Sequence, residues 1–312
     1  MQREVYQEPF LPYEEQMNLL KSRGLFFKDE PQALNLLERI SYYRLSSYWY
    51  PFLKDKQNKI FKENTDFDKA FELYKFDKNL RKIIMAEVEK IEIAIRSKMV
   101  HVLSLSNGHF WLEEESLFLD SEMYASMMSN IKKEVNRSHE SFIISFRKEY
   151  SNDIPPAFML LETISFGTLS KIYKYLKLPK DKQEIAQFFG LHGVVFESWI
   201  HSLVYVRNIC AHHARLWNRQ MRIRPLPLKT NKNHQKILKN IWLANNQVCR
   251  DRIYIVLSMI LYLLNIINPK HSFKQKLTDL FSKYPSIDKT AMGFPVDWQA
   301  EPLWSPSSRG SI

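Results

Sequence analysis

Residues 73–102 read LYKFDKNLRKIIMAEVEKIEIAIRSKMVHV, and this stretch decides the fold class. Leu73, Phe76, Leu80, Ile84, Val88, Ile91, Ile95, Met99 and Val102 recur every three or four residues. At 3.6 residues per turn these positions fall on one side of an α-helix, as a single apolar stripe sustained for many turns. Thr65 or Asp66 is a suitable N-cap, and Asn107-Gly108 ends the element. Glu92 and Arg96 stand four apart in the order that favours an ordinary ion pair on a helix face.

Outward from this helix the chain keeps the same period. Residues 13–55 carry helical pattern around Met17–Leu20 and Ala33–Leu45, and close with YYRLSSYWYPF, an aromatic run suited to a packing corner. Residues 120–150 read as one helix rich in Lys, Glu and Arg. Phe158–Glu162 and Leu169–Leu176 flank a break at Ser165–Gly167. Gly193 precedes a helix with Trp199, Leu203, Val206 and Cys210 on its buried side. The run RLWNRQMRIRPLPLKTNKNHQK is a loop or short ribbon broken by Pro225 and Pro227, and a last apolar helix covers about 236–267. Its segment IYIVLSMILYLLNII, Ile253–Ile267, is shorter than the roughly 18–20 residues that cross a bilayer, so it reads as a buried helix. The expected fold is all-α, with an N-terminal helical appendage over 1–60 and a helical core with a C-terminal tail over 61–312.

Composition agrees. Seven glycines in 312 residues suit helices, and neither GxGxxG nor GxxxxGK[ST] is present. Net charge is +11 at pH 7, which favours a polyanionic partner because Lys and Arg meeting phosphates release condensed counterions. Cys210 and Cys249 form no CxxC pair, so no structural zinc site is expected, and two isolated thiols suit the cytoplasm. The opening MQREVYQEPFLPYEEQ lacks the apolar segment of a signal peptide.

The chemically suggestive run is Arg207-Asn208-Ile209-Cys210-Ala211-His212-His213. Arg207 offers a fork of donors to a phosphate. His212, as an imidazole, can take or give a proton. Asn208 can hydrogen-bond either. RNA brings its own nucleophile, the 2′-hydroxyl, so an arginine and a histidine suffice for cleavage without metal. By spacing alone the same residues better suit a buried polar cluster tying helices together. On an ideal helix Arg207 and His212 lie about 140° apart. They converge only if the helix ends or distorts near Ala211, or if two copies face each other across a two-fold axis. Adjacent His212 and His213 make a poor metal pair, and HExxH is absent.

The longer run SLVYVRNICAHHARLWNR resembles the signature of the Abi-like family of bacterial abortive-infection proteins. ISYYRLSSYWYPF, LYKFDKNLRKIIMAEVEKIEIAIRSKM, PPAFMLLETISFGTLSKIY and MGFPVDWQAEPLW follow that family's pattern in the same order. The resemblance implies the HEPN superfamily: a helical bundle, an Arg-x4–6-His motif with a polar residue after the arginine, and a dimeric, metal- and cofactor-free ribonuclease with a composite site. Arg207, Asn208 and His212 match directly, and His213 fits the longer spacing. It also implies a role in phage defence or as a toxin, in some members paired with a small structured RNA. On this reading Glu162 supports the site, and Arg215, Trp217, Arg219, Arg222 and Arg224 line the RNA-binding surface. The competing expectation is a helical protein that binds RNA or a partner without cutting; a metal-dependent hydrolase is weaker still.

Overall fold

The computed structural model describes residues 9–228 and 249–305. Among these the fold is all-α, as the periodicity requires, with one two-stranded ribbon. The residues up to Leu80, with Leu280–Ile287, form one compact unit; Arg81–Asp279, with the residues from Asp288 onward, form a second.

The first unit contains α1 (Tyr13–Ser22), α2 (Glu30–Ile40), α3 (Tyr42–Trp49), strands β1 (Leu53–Asp55) and β2 (Ile60–Phe61), and the start of α4 (Phe67–Asn107). Met17, Leu20, Leu37, Leu45, Trp49, Phe61 and Phe67 make its core. The helical pattern over 33–45 is split, because Ser41 adopts φ +74° and its hydroxyl oxygen caps α3 by accepting from the Arg44 amide. The aromatic run is a packing corner: Tyr48 and Trp49 are buried and Tyr48 donates to the Asp77 carboxylate at 2.7 Å, while Tyr43 faces solvent. The antiparallel pairing of β1 and β2 carries no period-two signal in the sequence.

Helix α4 runs for 41 residues, and every residue of the apolar stripe from Leu73 to Val102 is buried. Asp66 is its N-cap, accepting from the Lys69 amide at 2.8 Å, and Gly108 at φ +75° follows its end.

The second unit holds the rest of α4, then α5 (Ser121–Arg137), α6 (Ser141–Glu149), α7 (Ala157–Thr163), α8 (Phe166–Tyr175), α9 (Pro179–Phe188), α10 (Gly193–Ala211), α11 (Ile253–Ile267) and most of α12 (Phe273–Lys283). The single helix expected over 120–150 is two, since Ser138 turns extended at ψ 130° and the Val135 carbonyl accepts from the Ser138 amide and from Arg147. Ser165 caps α8, helped by Glu134, whose carboxylate accepts from the Thr168 hydroxyl at 2.6 Å. Helix α11 is the centre of this unit, with every residue from Ile253 to Leu264 buried. The expected helix over 236–267 is corrected here: residues 249–252 form a turn, and 236–248 lie outside the described residues. Among the described residues no helix is long and apolar enough to cross a membrane.

The expected Glu92–Arg96 ion pair forms, but in a buried place. Arg96 is 7% exposed; it pairs with Glu92, donates to the Leu161 carbonyl, and donates to the Ile164 carbonyl at 2.7 Å. It thereby satisfies carbonyls at the end of α7, where the helix itself supplies no donors.

Candidate active site

Helix α10 carries the arginine–histidine motif at its C-terminal end. One side packs through Phe196, Trp199, Leu203, Val206 and Cys210, and the helix contacts α8, α9 and α11. Cys210 is buried directly behind the motif, while Cys249 is exposed. Asn208 and His212 lie on the other side and are exposed, as is His213, while Arg207 falls at the edge of the packed side and is half-buried. The Arg207 Nη1 donates to Asn208 Oδ1 at 3.3 Å.

The helix ends in a Schellman turn. His212 is the C-cap at φ −81° and ψ 8°. The His213 amide donates to the Cys210 carbonyl and the Ala214 amide to the Ile209 carbonyl, both at 3.0 Å. These two bonds require a left-handed residue between them, and His213 takes that conformation at φ +56°. A side chain there costs roughly 1 kcal/mol that glycine would avoid. Because the turn satisfies the last carbonyls from its own amides, an anion arriving here meets side chains and not a donor-rich backbone.

The geometry bears on whether Arg207 and His212 meet. The helix does end at Ala211, but the chain reverses at His213, one residue beyond His212. His212 therefore keeps its helical phase, about 140° from Arg207.

Four basic residues follow. Arg215 and Arg219 are half-buried, with Arg219 Nη1 donating to the Arg215 carbonyl at 3.2 Å; Arg222 and Arg224 are exposed. Arg224 pairs with Asp251 at 3.4 Å, whereas Arg222 makes no ion pair among the described residues. Trp217 is a correction: it is 5% exposed and its Nε1 donates to the Asp288 carbonyl at 3.2 Å, so it packs and offers no face to a base. Glu162 lies exposed on α7 and makes no ion pair with Arg207 or any histidine among the described residues.

Three supports escaped sequence reasoning. Arg81, buried on α4, donates to the Ala214 carbonyl just past the motif at 3.5 Å. Asn218, also left-handed at φ +50°, accepts from Arg252 at 3.0 Å. Asp251 accepts from the Gln220 side chain at 2.8 Å, and its own carbonyl accepts from the Met221 amide at 2.8 Å. The Cys249 thiol and Gln220, with Arg224 and Arg252 nearby, hold the Asp251 carboxyl below its ordinary range. Only the basic side chains themselves were visible as signals; their anchors lie far off in sequence. Over its described residues, 215–228, the segment has no strand, and it is pinned where Leu226 donates to Ser198 Oγ and accepts from Trp199 Nε1, each at 2.9 Å. No group of three or more His, Cys, Asp or Glu among the described residues could hold a metal ion.

A bundle with a half-buried arginine and exposed histidines at one helix end, beside a basic loop, is a class that comparison can narrow. The model of the Abi-like protein family matches residues 35–218, more than half of the chain, and the chain belongs to that family. The match runs from α2 to Asn218 and so contains the whole motif; it stops short of the C-terminal segment MGFPVDWQAEPLW. Membership points to abortive infection, a defence against phage. Among curated proteins and solved structures none matches.

Proposed function

We propose that this protein is a metal-independent endoribonuclease of the HEPN type, acting in the cytoplasm as a homodimer in abortive infection or as the toxin of a toxin–antitoxin pair. The observation that carries the reading is the end of α10. Four polar residues of the motif cluster around a Schellman turn, three of them exposed, beside the basic loop Arg215–Arg224. Their helical phases support two copies of the motif facing each other, since one copy leaves Arg207 and His212 on different sides.

In this mechanism one histidine takes the proton of a 2′-hydroxyl. The 2′-oxygen attacks the adjacent phosphorus, and the bond from phosphorus to the 5′-oxygen breaks. A second histidine protonates that leaving oxygen. His212 of each copy fills these roles, with His213 as the second candidate. Arg207 stabilises the charge that gathers on the phosphoryl oxygens, and Asn208 orients Arg207 through the bond already present. Glu162 is an outer support. The products are a 2′,3′-cyclic phosphate and a 5′-hydroxyl; no water or redox partner is consumed. A small structured RNA would suit the same basic surface as an antitoxin.

The test is incubation of the purified chain with labelled single-stranded RNA in excess EDTA, beside Arg207→Ala and His212→Ala. Cleavage by the parent alone, leaving cyclic phosphate ends, is the expected result. RNA bound but uncut by all three would replace the reading with an RNA-binding protein of the same defence class.

A further inference from the structure

The exposed face of α10 extends beyond the motif. Taking His201 as the origin at 100° per residue, Tyr205, Asn208 and His212 fall within an arc of about 60°. His201, Asn208 and His212 are exposed and Tyr205 is half-exposed. The stripe therefore continues back from the motif for two further turns, an axial span of about 16 Å from His212 to His201.

The basic loop is anchored on one flank of α10, at Ser198, whose helical phase is about 60° from His201. It leaves the helix end at His213 and is pinned next to Ser198 and Trp199 through Leu226. The chain from Arg219 to Arg224 thus passes back along α10, from the level of the motif toward that of His201. Arg222 is exposed and makes no ion pair or hydrogen bond among the described residues, so its charge is available to a phosphate.

We propose that the exposed stripe His201–Tyr205–Asn208 and the arginine rail Arg219–Arg224 form a track for single-stranded RNA leading into the motif, with Tyr205 as its base-stacking platform. The proposal rests on the ribonuclease reading for the identity of the ligand. The chemistry of the two edges is that of single-strand binding: cations follow the backbone, and an aromatic face takes a base whatever its sequence. At about 16 Å the track holds a few nucleotides to one side of the scissile phosphate. His201 lies one turn beyond Tyr205 and takes the far nucleotide.

The experiment measures binding and cleavage separately. Binding of a fluorescent eight-nucleotide RNA is read by anisotropy in the His212→Ala protein, which removes turnover. Adding Tyr205→Ala should weaken binding about tenfold, while Tyr205→Phe, which keeps the ring, should leave it within about twofold. A dinucleotide, too short to reach Tyr205, should be cut by the otherwise unaltered enzyme equally well with Tyr or Ala at 205. Should Tyr205→Ala fail to fold, His201→Ala carries the same test, expected to weaken the eight-nucleotide RNA several-fold and to spare the dinucleotide. Unchanged binding in folded Tyr205→Ala, with the parent still cutting RNA, overturns the track and leaves the chemistry standing. Tyr205-dependent binding with no cleavage by the parent sustains the track and removes the chemistry. Conversion of a dimer to a monomer by Tyr205→Ala, with RNA affinity kept, would assign the stripe to protein contact and overturn the proposal.

Discussion

Replacing Arg96 with methionine tests the strongest anchor found between α4 and α7. Methionine keeps the apolar stem and volume but removes the donors. The Leu161 and Ile164 carbonyls, both facing the buried guanidinium, then lose their partner. Each buried acceptor left unsatisfied costs about 1–3 kcal/mol. Glu92 also loses its cation, but its side chain is 15% exposed and part of that loss is returned as hydration. The sum is about 3–5 kcal/mol, in the range measured when one partner of a buried pair is removed. At about 2–4 °C per kcal/mol for a unit of this size, the melting temperature should fall by about 10 °C. Arg96→Lys, which keeps the charge but has no planar fork, should recover about half. The assay is urea unfolding followed by far-UV circular dichroism, with thermal melts beside it. A loss below about 1 kcal/mol for Arg96→Met would place the residue among exposed ion pairs and refute the reasoning.

Two further outcomes follow from the structure. His213→Gly should stabilise the fold by about 0.5 kcal/mol, since relief of the left-handed strain exceeds the extra freedom of an unfolded glycine, and His213→Val should destabilise it by about 1 kcal/mol; the urea midpoint decides both. Glu87 is buried, which pushes its carboxyl up, but hydrogen bonds and charge from Lys276 and Lys90, each at 2.7 Å, outweigh this and hold it below the ordinary range. A depressed folded pKa contributes stability that is present above the unfolded value and lost as pH falls through the folded one; Glu87→Gln should therefore be less stable at pH 7 and show a shallower loss below pH about 4.5, and an unchanged acid slope would count against the pairing.

The long helix and the motif were legible because both are written in local sequence. The stripe from Leu73 to Val102 repeats within each turn, and every member is buried. Asp66 and Gly108 bound the helix as cap chemistry requires. Ser41 and Ser138 broke expected helices without a proline or glycine to mark them, because a serine can exchange helical bonds for extended backbone at little cost. Trp217 and Arg96 could not be placed from sequence, since their partners, Asp288 and the carbonyls of Leu161 and Ile164, stand some 65 or more residues away. The left-handed conformation of His213 was hidden for a related reason. Left-handed helix ends are usually written with glycine, and here a histidine stands in its place.

The length of α4 restricts how this chain can change in evolution. A helix of 41 residues tolerates substitution at its exposed positions, but it is intolerant of a change in count. Deleting or inserting one residue between Phe67 and Asn107 would rotate everything beyond it by about 100° and turn half of the buried stripe to water. An insertion of seven restores the phase to within about 20°, but displaces the next buried layer by about 10 Å. Relatives of this chain should therefore vary in length within the loops flanking α4 and keep the count from Asp66 to Gly108 fixed, so that in an alignment a gap inside this interval would mark a misaligned or inactive copy.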